Sequence, residues 1–236
     1  MSAVFRNMAR HFAATALAVE FLWDDWRHTD YFYYNTDGDV SPFQPLTDLA
    51  CRALTVATAE FIAARFHAFS DTIEALEFFD CAWASIAQEG ACDYAVLPRD
   101  EWSGPIRGPL RAAMLVVNEA MFEAVEDGDY PARCVWILQL GRHVMPKGQI
   151  SLLEDWFWGC KDRLDTHWCN IPHRGDLFSP DFDKGPLLGP CLFLPGADAD
   201  PRKAETCLRE HMLTLVNSNK WLIDPAMHPT SSGHEH

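Results

Sequence analysis

Cys160, His167, Cys169 and His173 fall within one short stretch, and their soft and borderline donor atoms are the kind that hold zinc. His143 would join them if the fold returned it to the same place. The spacing fits no standard zinc frame, and Cys160 already belongs to the apolar side of a helical pattern. The expectation is therefore no metal and no cofactor, with those four residues as the candidates should a metal bind. Asn35, Asp37, Asp39 and Ser41 imitate the odd positions of a calcium loop. Gly38 falls too early for the sharp bend, however, and Leu46 stands where a bidentate Glu belongs, so the segment reads as a turn.

Hydrolytic signatures do not stand in the chain: there is no G-x-S-x-G, no H-E-x-x-H and no P-loop. A Cys–His nucleophile pair would meet only in the fold. Arg174-Gly175-Asp176 spells an adhesion tripeptide, which turn chemistry and chance explain.

Carboxylates are the other chemistry on offer. Leu110, Met114, Val117 and Met121 recur along one helical face, and Glu119, Glu123 and Glu126 follow the opposite one. Leu115 and Phe122 sit beside the acidic stripe. Either a second neighbour buries them, or they form an apolar contact patch rimmed by carboxylates. On another helical pattern Asp71, Glu74, Glu77 and Asp80 step along the outside. From Glu60 to Glu101 nine acidic residues stand against two basic ones, so this is the most acidic region of the chain. These features lead to a non-enzymatic, acidic protein-binding module, an immunity or inhibitor protein that neutralises a basic partner such as a toxin. Leu115 and Phe122 are its expected anchors, with Glu74, Glu77, Glu119 and Glu123 around them. The alternatives are a metal-assisted hydrolase with its site near residues 160–173 and a helical-repeat adaptor.

Helical patterns position these groups. The spacing of apolar residues predicts helices over Ala3 to His28, Pro45 to Phe66, Asp71 to Gln88, Leu110 to Glu126, Pro131 to Met145 and Leu152 to Trp168. A seventh opens at Asp200-Pro201, an N-cap followed by proline in the first turn. Ser151 and Glu154 have capping-box spacing, as do Asp71 and Glu74. Between Ile171 and Asp200 the periodicity collapses into a strap rich in Pro and Gly. The fold class is all-α. Because Arg52 to Ile86 can be laid over Arg111 to Met145 at constant offset, the arrangement is an irregular helical bundle or a set of stacked helical hairpins. Residues 1–228 are expected to form one domain and 229–236 a disordered tail.

Composition bounds the rest. The 236 residues include 48% hydrophobic ones, with nine Trp and fifteen Phe, enough for a sizeable aromatic core. A net charge of −15 repels phosphate backbones and anionic lipid surfaces, so neither nucleic acid nor membrane is an expected partner. No apolar run is long enough to span a bilayer. Arg6, Arg10 and Ala16-Leu17-Ala18 have the outline of a leader, but the apolar stretch is short and an aromatic, charged pattern continues through it, so a mature helix is expected. None of the eight cysteines forms C-x-x-C, and several lie on apolar faces, which suits a reducing cytoplasm; their even number also permits disulfides.

Overall fold

One helix is enclosed by all its long neighbours. α3, Asp48–Arg65, is buried over almost its whole length and touches the helices Ala3–Phe12 (α1), Thr72–Ala87 (α4), Gly104–Phe122 (α5), Tyr130–Val144 (α6) and Ile150–His167 (α7). The computed structural model describes residues 2–12, 19–69, 72–122, 129–169, 185–215 and 219–223. Among them are eight α-helices and no strand; α2 is a single turn, Asp37–Val40, and α8 is Pro201–Thr214. The protein is thus an all-α bundle. A central helix touching five others rules out stacked hairpins, in which each repeat meets only its neighbours.

Residue choice explains why α3 is the hub. Ala50, Ala53, Ala57, Ala59, Ala63 and Ala64 keep its surface thin, so neighbours approach from every side. Its hydroxyls are satisfied internally: Thr55 Oγ1 donates to the Cys51 carbonyl at 2.9 Å, and Thr58 Oγ1 to the Leu54 carbonyl at 2.7 Å. Thr47 caps its start by accepting the Ala50 N–H at 3.2 Å. Buried residues from Val4 to Trp221 join around it in one continuous core. Large rings such as Trp83, Phe61, Phe78 and Phe157 lie wholly inside, each contributing about 1.5–3 kcal/mol by burial.

Several boundaries differ from the periodic reading. α1 covers Ala3–Phe12, the next described residues begin at 19, and residues 19–27 are irregular. There Trp23 and Asp25 turn toward α5 instead of continuing a helix. Gly108 makes this possible, since a Cβ at that position would lie 2.0 Å from Trp23 Nε1. The turn at Asn35–Ser41 is α2, closed by a Thr36–Asp39 capping box. α5 starts earlier than its apolar pattern, at Gly104, and carries Pro109 within it. The Ser151–Glu154 capping box does not form. A 3₁₀ turn at Lys147–Gln149 feeds straight into α7, and Glu154 instead accepts from Arg142 Nε at 2.8 Å. The expected cap at Asp71 lies outside the described residues. α8 does open as predicted, on Asp200 followed by Pro201, and α6 begins one residue before the predicted Pro131, at Tyr130, capped by Asp129.

The described part of the strap, 185–200, lies against the bundle. Its 3₁₀ turn Pro190–Phe193 presents carbonyls to α7: Phe193 O accepts from Trp156 Nε1 at 2.8 Å and Leu192 O from Arg163 Nε at 2.9 Å. Gly189 lets it meet α8 closely, because a Cβ there would fall 2.5 Å from the Ala204 carbonyl. None of the described helices is long and apolar enough to cross a membrane.

Candidate functional site

Asn118 sits fully buried in an otherwise apolar stretch of α5, and its amide must be satisfied there. It is satisfied by the loop that precedes the helix. Asn118 Oδ1 accepts the Ala95 N–H at 3.1 Å and Asn118 Nδ2 donates to the Ala95 carbonyl at 2.9 Å. Further toward the helix start, Arg111 Nε donates to the Leu97 carbonyl at 3.0 Å. At the other end the loop is anchored by the Asp93 N–H on the Trp221 carbonyl at 2.7 Å. The segment 91–98 therefore runs along α5 as an extended strip. Extended backbone alternates its side chains, so Ala95 and Leu97 are buried while Tyr94 and Val96 face out, 50% and 75% exposed.

Arg111, Leu115, Asn118 and Phe122 form one stripe of α5 facing this strip. At its far end the rings of Phe122 and Tyr94 meet edge to face at 5.5 Å. Phe122 remains 38% exposed and Leu115 half-buried. At the near end Trp26 is 80% exposed, and the Arg99 guanidinium lies over its ring at 4.4 Å. Asp25, Trp26, Arg99, Asp100, Ser103 and Arg111 line an open recess of ≈ 740 Å³ here. Asp25 holds the corner together: Oδ2 accepts the Gly104 N–H at 2.9 Å and Oδ1 accepts Trp23 Nε1 at 2.8 Å.

The electrostatics of this end run against the acidic whole. Burial and the nearby Arg99 push the Arg111 guanidinium below its ordinary value, with Asp25 opposing. Burial holds the His28 imidazole down as well, and both arginines add to the effect. Arg99 and Arg111 share this end with two carboxylates, Asp100 and Asp25, and Asp25 spends both its oxygens on the corner.

The sequence-predicted anchors divide between α4 and α5. Leu115, Glu119 and Phe122 share the outer side of α5, but Glu119 is engaged by Arg133 Nε at 3.3 Å. On α4, Glu74 is ion-paired with Lys220, while Glu77 stays exposed and its carbonyl accepts from Asn219 Nδ2 at 2.8 Å. Glu123 lies outside the described residues. Glu60 and Asp80, counted with the surface acids, are buried. Burial, with Asp80 adding to it, pushes the Glu60 carboxyl up to about 8, so it is mostly protonated at neutral pH. Ser2 and Trp83 face it without reaching hydrogen-bond geometry. His211 of α8 lies 3.6 Å from Asp80 and is held low chiefly by burial.

The candidate metal donors do not converge. Cys160 is buried under the strap, pushed up to about 12 by burial, with Arg163 Nη2 donating to its sulfur at 3.1 Å. His167 is exposed at the end of α7, and Cys169 donates to the Asp165 carbonyl at 2.8 Å. His143 belongs to a different place, stacked on Tyr31 at 4.1 Å. His173 lies outside the described residues. Among the described residues no three His, Cys, Asp or Glu side chains are grouped to hold a metal.

No protein family, no curated protein and no solved structure was found to match this chain. Sequence reasoning missed Trp26, Arg99 and Arg111. The signal was present: Arg99, Arg107 and Arg111 recur closely inside an acidic chain, and Asn118 interrupts the apolar side of a helix.

Proposed function

We propose that this chain is a non-enzymatic protein-binding module, of the inhibitor or immunity kind, that captures a predominantly basic protein. The docking surface is the seam where segment 91–103 lies along α5, from Phe122 and Tyr94 through Val96 and Leu115 to Trp26, Arg99 and Arg111. The observation that carries this reading is the row of exposed aromatic and arginine side chains fixed on a rigid support. Such side chains dominate interface energetics, and a preorganised row loses little entropy on binding. From Arg111 to Phe122 the row extends about 16 Å along the helix axis. The net charge of −15 steers a cationic partner toward it, and the arginine pair offers a place for one carboxylate of that partner, which sets the register.

The test is affinity capture from native extract by the wild-type chain and by the variants Val96→Glu and Trp26→Ala. The reading predicts a partner of basic composition that both variants lose and that high salt weakens. A partner retained equally by both variants, or a neutral partner indifferent to salt, refutes it. A second reading rests on the recess itself. Ser103, Arg99 and Arg111 line an open hollow with Asp25 and Asp100, a charge-balanced set suited to a small ligand bearing an anionic group and a donor, and calorimetric titration with mono- and dicarboxylates separates this from protein capture. The hydrolase alternative near residues 160–173 draws no support from the placement of Cys160, His167 and Cys169.

A further inference from the structure

Six of the eight cysteines meet in pairs. Cys51 lies beside Cys134, whose thiol donates to the Cys51 carbonyl at 3.5 Å; Cys92 lies beside Cys81, and Cys191 beside Cys207. The first two pairs are buried inside the bundle. The third joins the strap to α8, and both of its residues are half-exposed. There the Cys191 backbone N–H donates to the Cys207 sulfur at 3.2 Å, while the Cys191 thiol donates to the Lys203 carbonyl at 3.9 Å. Cys191 also lines a surface recess of ≈ 300 Å³ with Pro195, Gly196 and Lys203, and Cys207 reaches solvent through its own half-exposed surface.

We propose that Cys191 and Cys207 form a reversible redox site, in which a hydroperoxide oxidises Cys207 and Cys191 resolves it to a disulfide tying the strap to α8. The backbone donor on the Cys207 sulfur fixes the roles. Contact with Cys191 pushes the Cys207 thiol down, against burial and Glu210, while the Cys191 thiol is pushed up by Cys207 beside it and by burial. A thiolate is the nucleophile in such chemistry, so Cys207 attacks first. Its sulfur takes one oxygen from hydrogen peroxide, the O–O bond breaks, and the departing hydroxide takes a proton to leave as water. Cys191 sulfur then attacks the sulfur of the Cys207 sulfenic acid. The S–O bond breaks, and the leaving hydroxide takes the Cys191 proton. Two thiols and one peroxide thus give one disulfide and two waters. The buried pairs are the internal control: Cys51 and Cys92 are both pushed up, by the paired cysteine beside each and by burial, and neither residue is exposed to solvent.

The experiment uses the full chain, reduced and then treated with equimolar hydrogen peroxide, quenched with an alkylating reagent and mapped by peptide mass spectrometry. The expected product is about 2 Da lighter and carries a Cys191–Cys207 cross-link, with Cys51, Cys81, Cys92, Cys134 and Cys160 alkylated only after denaturation. Before oxidation, Cys207 should be alkylated about tenfold faster than Cys191 at neutral pH. In Cys191→Ser, Cys207 should stop at a sulfenic acid that dimedone traps; in Cys207→Ser, Cys191 should remain a thiol. A first cross-link within a buried pair, no cross-link in the wild type, or equal sulfenic acid formation at Cys191 and Cys207 overturns the proposal.

Discussion

Replacing Glu60 by Gln tests whether a protonated carboxyl lies at the centre of the bundle. Glu60 is fully enclosed beside Asp80, and its ordinary value of 4.5 is raised to about 8 in the fold. An unfolded chain releases this proton well before the folded one does. Glu60's share of stability is therefore whole below 4.5 and is lost as pH rises through about 8. The slope approaches about 1.4 kcal/mol per pH unit inside that window. From about pH 5.5 to about pH 7.5 the wild type should lose about 2–3 kcal/mol on this account. His211 works in the opposite sense: its folded value is lowered, so its cost appears as pH falls below 6.5. Comparing Glu60→Gln with the wild type cancels that contribution, because His211 is present in both. Urea unfolding at the two pH values gives the numbers. The variant should show a flatter profile and be the more stable of the two at the higher pH. Parallel profiles for the two proteins would refute the reasoning, because they would mean that Glu60 ionises in the fold as readily as in the unfolded chain.

Other expectations follow from the seam and the strap. Asn118→Ala removes both hydrogen bonds to Ala95 and leaves a buried N–H and carbonyl unpaired; urea unfolding should show a loss of about 2–4 kcal/mol, with faster amide exchange at Ala95. Gly108→Ala forces Trp23 off α5 and with it the Asp25 contact to Gly104; a loss of about 1–3 kcal/mol and altered tryptophan fluorescence should report it. Val96→Glu changes an exposed side chain and should leave stability within about 0.5 kcal/mol by the same unfolding measurement while abolishing partner capture. Closing the short loop between Cys191 and Cys207 should raise stability by about 3 kcal/mol, seen as a higher melting temperature for the oxidised chain.

Where helical periodicity and caps speak together, the fold was legible: α8 opens on Asp200, α6 begins within a residue of the predicted start, and the described part of the strap, 185–200, forms no α-helix, as its prolines and glycines indicate. The hub was not, because alanines carry little amphipathic signal; α3 read as a helix with one apolar face and proved buried all round. Asp80 was misplaced for a related reason: a carboxylate in a helical pattern is assigned to solvent unless something marks it as enclosed, and nothing in the charge count of 60–101 marked Glu60 as buried. The seam was half legible. Leu115 and Phe122 stood out beside the acids, but Tyr94, Val96, Trp26 and Arg99 come from irregular segments whose position depends on single contacts such as Asn118 to Ala95. No local pattern announces a contact of that kind.

The enclosure of α3 has a consequence during synthesis. Its own residues are complete at Arg65, whereas α7, which seals one of its sides, ends at His167. At translation rates of roughly 5–20 residues per second, the emerging helix waits about 5–20 s with apolar surface uncovered. Nascent chains that stall before α6 should therefore cling to chaperones or clump, and full-length product should become soluble only once the last of those neighbours has left the ribosome.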